Sequence, residues 1–144
     1  MTTANQYCTF FLDGLYFGVE VRHVQEVIRY QPLTRVPLAS AVISGLINLR
    51  GQIVTAIDLR RRLGLPERST GQQPMNVVVR TEDGVVSLLV DEIGDVREVT
   101  ADQFERPPET LHGPARSLVQ GAYKLDQRLL LVLNTAQAVQ APAE

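Results

Sequence analysis

The sequence is short of most residues that build chemical centres. It has no tryptophan, one cysteine (Cys8) and two histidines, His23 and His112. A lone cysteine forms no internal disulfide, which excludes a stapled scaffold and is compatible with a reducing compartment. Neither histidine has metal-ligand spacing to another His, Cys, Asp or Glu, so no metal site is expected. Ser40, Ser44, Ser69, Ser87 and Ser117 lack the setting of a nucleophile elbow. The segment 45–51 lacks the lysine and hydroxyl of a phosphate-binding loop. Adjacent carboxylates occur at Glu82-Asp83, within a hairpin turn, and at Asp91-Glu92, where adjacency alone suggests acid–base work. The expectation is a protein with no catalytic residue, no cofactor and no metal. Aromatics are 6% of the chain, the formal net charge is −2 and the pI is near 5.7. A general affinity for nucleic acid is therefore not expected, because single-strand binders need a basic groove with stacking rings. The basic run Arg60-Arg61-Arg62 reads as the solvated side of a short helix. No apolar run approaches the roughly 18 residues of a membrane span. Residues 1–7 lack the form of a secretory signal, so a cytoplasmic location is the expectation.

What is present is a chain of 144 residues, 44% hydrophobic, enough for one domain or two small units sharing a core. Its organising stretch is 45–64. Apolar runs at 46–49 and 53–57 flank Asn48-Leu49-Arg50-Gly51-Gln52, the pattern of two strands and a turn. Asp58 then reads as the cap of a short helix through Arg60-Arg61-Arg62-Leu63, stopped by Gly64 and Pro66. Asp13-Gly14 and Asp83-Gly84, each between apolar runs, are further hairpin signals. Along 21–28 the period changes: Val21, Val24, Val27 and Ile28 share one side of a helical turn, leaving Arg22, Gln25, Glu26 and Arg29 wet. A short helix or a distorted strand is expected there, with His23 solvated. A short strand is expected at 34–36, a brief helical turn after Ser40, a linker at 67–74 and a loop at 104–114. A last hairpin should follow at 118–133, then a terminal helix at 136–140 capped by Asn134 and a tail that frays.

The two halves repeat. Phe17, Val19, Val21, Val24 and Val27 match Val86, Leu88, Val90, Ile93 and Val96 at an offset of 69. Gly45, Leu49, Ile53, Val54, Ile57 and Asp58 match Gly121, Leu125, Leu129, Leu130, Leu133 and Asn134 at an offset of 76. The offset changes within proline-rich loops, where insertions are tolerated. The expected fold is all-β: two lobes, roughly 15–66 and 75–135, packed face to face, with strands near the termini free to cross between them. A groove between lobes is the natural binding surface. Arg50, beside the turn glycine, is either a solvated hairpin tip or an arginine fork at a groove edge. The second copy has no arginine at its place.

Asn48-Leu49-Arg50-Gly51-Gln52-Ile53-Val54 with Ile57-Asp58-Leu59-Arg60 resembles the signature of the CheW family of bacterial chemotaxis coupling proteins. Phe17-Gly18-Val19-Glu20-Val21, Val24-Gln25-Glu26-Val27, Thr34-Arg35-Val36-Pro37, Ile43-Ser44-Gly45, Leu89-Val90-Asp91 and the segment 121–133 follow in the family's order, so the resemblance spans about 7–138. It implies two small five-stranded β-barrels packed together, with short helices including a C-terminal one. It implies a non-catalytic adaptor bridging the cytoplasmic tip of methyl-accepting chemotaxis receptors to the CheA histidine kinase, recruited from the cytoplasm to receptor arrays. By motif match, Val24, Glu26 and Val27 would meet the kinase regulatory domain. Gly45, Arg50 and Val96 would serve receptor coupling. Core packing remains the alternative for Val24 and Val27, and backbone geometry for Gly45. Ser87 departs from the glycine expected by analogy with Gly18. The other readings are an adaptor of a pilus or gliding pathway and, in a different class, a small-barrel nucleic-acid binder.

Overall fold

The computed structural model describes residues 5–37, 39–69, 71–82 and 84–140. The expected tail fraying at 141–144 and the turn residue Asp83 lie outside them. Strands β1 (Asn5–Leu12) and β2 (Leu15–Glu20) form the first hairpin. Both of its turn residues, Asp13 (φ 51°) and Gly14 (φ 77°), have the positive φ of a tight type I′ turn. A 3-10 turn over Val21–His23 leads into β3 (Val24–Ile28). The segment 21–28 is thus a helical turn running into a strand, not one helical face. A bulge between Val24 and Glu26 resets the alternation, so Val27 points outward and Glu26 is half-buried. His23 is half-buried as well, beside Glu20 at 3.5 Å.

Strands β4 (Ile43–Leu49) and β5 (Gln52–Asp58) turn through Arg50 (φ 52°) and Gly51 (φ 88°). Helix α1 (Leu59–Arg62) starts where the Asp58 side chain accepts the Arg61 amide. Then come β6 (Met75–Thr81), β7 (Gly84–Val90) and β8 (Glu92–Val99). Thr81 pairs with Gly84, so Gly84 opens β7 instead of sitting at the turn's centre. The expected loop at 104–114 holds the two-residue strand β9 (Phe104–Glu105), and α2 (Pro114–Leu118) starts at its end. The chain closes with β10 (Val119–Lys124), β11 (Leu129–Leu133) and α3 (Thr135–Ala138), the last capped by Asn134. The expected strand at 34–36 is reduced to one bridge, Thr34 to Leu46, and Ser40 opens a plain turn instead of a helix.

The strands make two sheets, ordered β8-β1-β2-β11-β10-β9 and β3-β6-β7-β5-β4. Aligning the repeat explains both orders. With β1 matched to β6, β2 to β7, β3 to β8, β4 to β10 and β5 to β11, the five-stranded sheet reproduces the six-stranded one without β9. The parallel pair β2–β11 corresponds to the parallel pair β7–β5. Bulges fall at equivalent places, Ile43/Gly45 and Val119/Gly121. The amides of Asp58 and Asn134 donate to equivalent carbonyls, Val42 and Leu118. Each sheet nevertheless draws strands from both halves. The chain crosses from the six-stranded sheet to the five-stranded one at 20–24, and back at 90–92.

The five-stranded barrels expected from the resemblance are not closed. Among the described residues no ladder joins β3 to β4 or β8 to β9, so the sheets are open and curled. Each wraps its own apolar cluster: Tyr7, Tyr16, Val99, Tyr123, Leu125, Leu130 and Val132 in one, Ile47, Leu49, Val54, Ala56, Val78 and Leu89 in the other. Between them lies the largest cluster, with Phe10, Phe17, Val19, Ile57, Val77 and Leu88 from opposing faces. Burial of this layer binds the sheets into one unit. Phe10→Ala, at a residue 0% exposed, is expected to cost about 4 kcal/mol, read as a denaturant midpoint shift at unchanged slope.

Candidate functional site

The open seam of the five-stranded sheet, between β3 and β4, collects five of the six expected site residues: Val24, Glu26, Val27, Gly45 and Arg50. Two devices close it. The backbones of Thr34 and Leu46 exchange hydrogen bonds of 2.8 Å each way. An ion pair between the Arg50 guanidinium, on the β4–β5 turn, and the Glu26 carboxylate then spans from turn to edge strand. The Arg50 side chain is 69% exposed and that of Glu26 only 20%. Arg50 holds the Glu26 carboxyl below its ordinary range against a weaker opposing effect of desolvation, and Glu26 in turn raises the guanidinium. The turn is stiffened from below, where Asn48 Oδ1 accepts the Gly51 amide at 2.8 Å.

Gly45 is buried on β4, and its role there is steric. A Cβ built on it would stand 2.5 Å from the Thr34 carbonyl oxygen, and its φ of 155° disfavours any side chain. Val24 is half-buried and packs on the inter-sheet cluster. Val27, 43% exposed, is the apolar residue of β3 available to a partner. Val96, 57% exposed, is not part of this seam: it lies on β8, the edge of the other sheet. The repeat makes β3 and β8 counterparts, so Val27 and Val96 are equivalent exposed valines on two separate edges.

A second polar centre was not legible as such in the sequence. Arg60, read there as solvated, is 7% exposed. Its Nε donates to Asp91 Oδ1 at 2.9 Å, its Nη2 to Asp91 Oδ2 at 2.5 Å and its Nη1 to the Pro66 carbonyl at 2.8 Å. Arg68 Nε reaches Asp91 Oδ1 at 3.1 Å, and the Asp13 amide donates to Asp91 Oδ2 at 2.9 Å. Start-of-helix charge preference hid this: an arginine two positions after a cap is ordinarily wet, and its partner is 31 residues away. The expected linker at 67–74 is thereby strapped down at Arg68. Asp91, an acid–base candidate by adjacency, is saturated by these donors and does structural work. Burial pushes its carboxyl up. The Arg60 hydrogen bonds and the Asp13 amide outweigh that, so it titrates below the usual carboxylate range. A folded-state value below the unfolded one stabilises the protein above the unfolded carboxylate range, and this is lost as pH falls through the folded value. The melting-temperature gap between wild type and Asp91→Asn is therefore expected to be full at pH 7 and to shrink below about pH 4. Thermal scans of both proteins from pH 7 to pH 3 check this.

No group of three or more potential metal-ligating side chains occurs among the described residues. Nor is any helix there long and apolar enough to cross a membrane. The arrangement offers a partner two edges and an ion-paired seam.

The family model for the CheW-like domain matches residues 6–143. The chain belongs to the CheW-like family. The chemotaxis protein CheW of Bacillus subtilis (strain 168) is 31% identical over 92% of this chain and 85% of its own length. The scaffolding protein TtCheW of Thermoanaerobacter tengcongensis superposes with a TM-score of 0.80 at 26% identity, covering 92% of this chain and 90% of that one. Protein PilI of Pseudomonas aeruginosa (strain PAO1) is 25% identical over 85% of this chain and 68% of its own length.

Proposed function

We propose that this CheW-like chain is a non-catalytic adaptor that couples methyl-accepting chemotaxis receptors to a CheA-type histidine kinase, recruited to membrane receptor arrays by its partners. The observation that carries the reading is the seam. The ion pair of Glu26 and Arg50 ties the strand that carries the kinase-facing residues to the turn that carries the receptor-coupling one. Val27 on β3 supplies the apolar centre of the kinase face, with Glu26 beside it and Val24 supporting it from the inter-sheet layer. Arg50 and Val96 serve the receptor, and Gly45 serves it through the backbone closure at Thr34. Such interfaces have an apolar centre and a charged rim.

A solvent-screened ion pair at the surface contributes little to folding stability. Arg50→Glu is therefore expected to leave the melting temperature close to that of wild type. It is expected to weaken binding of a receptor signalling tip about tenfold, measured by titration calorimetry. A large loss of melting temperature would mean that Arg50 is structural and would remove it from the coupling surface. A second reading keeps the same adaptor surfaces in a pilus or gliding pathway; receptor tips from the different kinds of pathway, titrated in parallel, separate them.

A further inference from the structure

The repeat exposes an asymmetry between the two places where the chain changes sheets. At the second crossover, 90–92, Asp91 is the hub of a clasp. Arg60 comes from α1, Arg68 from the strapped loop and the Asp13 amide from the β1–β2 turn, and the Asp91 amide donates to the Phe11 carbonyl at 3.0 Å. Arg60, Asp91 and Arg68 side chains are 9%, 12% and 12% exposed. The clasp thus joins the first hairpin of one sheet to the helix and loop that follow β5 of the other.

At the first crossover, 20–24, the equivalent positions hold different residues. Arg22 stands at the place of Asp91 and exposed Ala136 at the place of Arg60, while Glu82 keeps the acid of Asp13. Among the described residues Arg22 pairs only with Glu20, at 3.0 Å. His23 Nδ1 is buried there and, among the described residues, makes no hydrogen bond, the Glu20 carboxylate standing 3.5 Å away. Where the clasp would sit, His23, Glu82, Thr135 and Ala136 help to line an open cleft of about 390 Å³. The first crossover delivers β3 and the second delivers β8. One edge is therefore anchored by a buried ionic hub at its root, and the other is not.

We infer that Asp91 is a positioning residue: held by Arg60, Arg68 and the Asp13 amide, it fixes the root of β8 and so presents the edge that carries Val96 to the receptor. This rests on the coupling function proposed above, in which β8 serves the receptor and β3 the kinase. β8 has one ladder, to β1, interrupted by a bulge between Cys8 and Phe10, and Thr9 Oγ1 donates to the Asp95 carbonyl at 2.5 Å to bridge it. An edge held by one interrupted ladder depends on its anchored end for register. β3 starts from a different crossover, so loss of the clasp reaches it only through the shared core.

The test uses the full chain as Asp91→Asn and, as the milder variant that keeps the Arg60–Asp91 pair, Arg68→Gln. Hydrogen exchange on the free protein is expected to speed up about tenfold at the β8 amides and to stay within twofold at the β3 amides. Receptor-tip affinity is expected to fall about tenfold, with affinity for a kinase regulatory domain within twofold of wild type. Arg68→Gln gives the same pattern at smaller size. Exchange that rises evenly in both sheets, or affinities that fall by one common factor, would reduce Asp91 to a general stabiliser and overturn the inference, as would unchanged exchange at β8. A wild type that binds neither partner would contradict the coupling function, and the exchange pattern would still decide whether the clasp holds β8.

Discussion

Leu49→Asp is expected to abolish the folded five-stranded sheet near physiological temperature. Leu49 is 7% exposed and packs with Ile47, Val54, Ala56, Val78 and Leu89 inside that sheet's curl. Removing the leucine forfeits about 2 kcal/mol of apolar burial. The carboxylate that replaces it has no donor in the cluster and must stay neutral, reach water or force the sheet open. A total loss of at least about 4 kcal/mol follows, a large part of the roughly 5–15 kcal/mol that holds such a domain together. The melting temperature should fall by more than about 10 °C. The two sheets share the inter-sheet cluster, so circular dichroism and intrinsic tyrosine fluorescence should report one transition. Melting like wild type would mean that Leu49 faces solvent and that the register of β4 is wrong by one residue.

Gly45→Ala is expected to cost about 3 kcal/mol for a single added methyl. The methyl meets the Thr34 carbonyl oxygen, so the paired hydrogen bonds between Thr34 and Leu46 must part, at about 1 kcal/mol each. Its φ of 155° adds a further cost of about 1 kcal/mol. Gly51→Ala is the control. Gly51 has φ 88° but nothing within 4 Å of a built Cβ, so it reports the backbone cost alone, about 1 kcal/mol. Chemical denaturation of both variants separates the two effects. Equal losses would show that the Thr34 contact carries no weight and that the seam does not depend on Gly45.

The local devices of this fold are legible in the sequence. Asp13-Gly14 and Arg50-Gly51 make tight turns because a left-handed pair is a property of adjacent residues. Asp58 and Asn134 cap helices for the same reason. The repeat was legible too, since alternation and cap positions survive a change of offset. The exchange of strands between sheets was not. A repeat says which strands are alike, and nothing in its spacing says which copy each one pairs with. Closure of the barrels was expected from the family resemblance, and it fails where coil at Thr34 and an ion pair stand in place of a ladder. Of the two readings of 21–28, a short helix or a distorted strand, the structure takes the second over most of the stretch: one helical turn runs into a bulged strand, and an apolar spacing cannot distinguish a bulge from a change of period. For the site, Glu26 and Arg50 were each singled out, but their pairing needed the curl of the sheet. The Asp91 hub needed it more, because its members come from four segments and each looks ordinary alone.

The central claim is that one CheW-like chain holds a kinase and a receptor at once. The most direct measurement is a pull-down of the intact chain with a CheA-type regulatory domain and a receptor signalling tip, separately and together. The account predicts binding to each alone at tens of micromolar or tighter and a ternary complex when both are present. Failure to retain either partner at those concentrations, or displacement of one by the other, would contradict it.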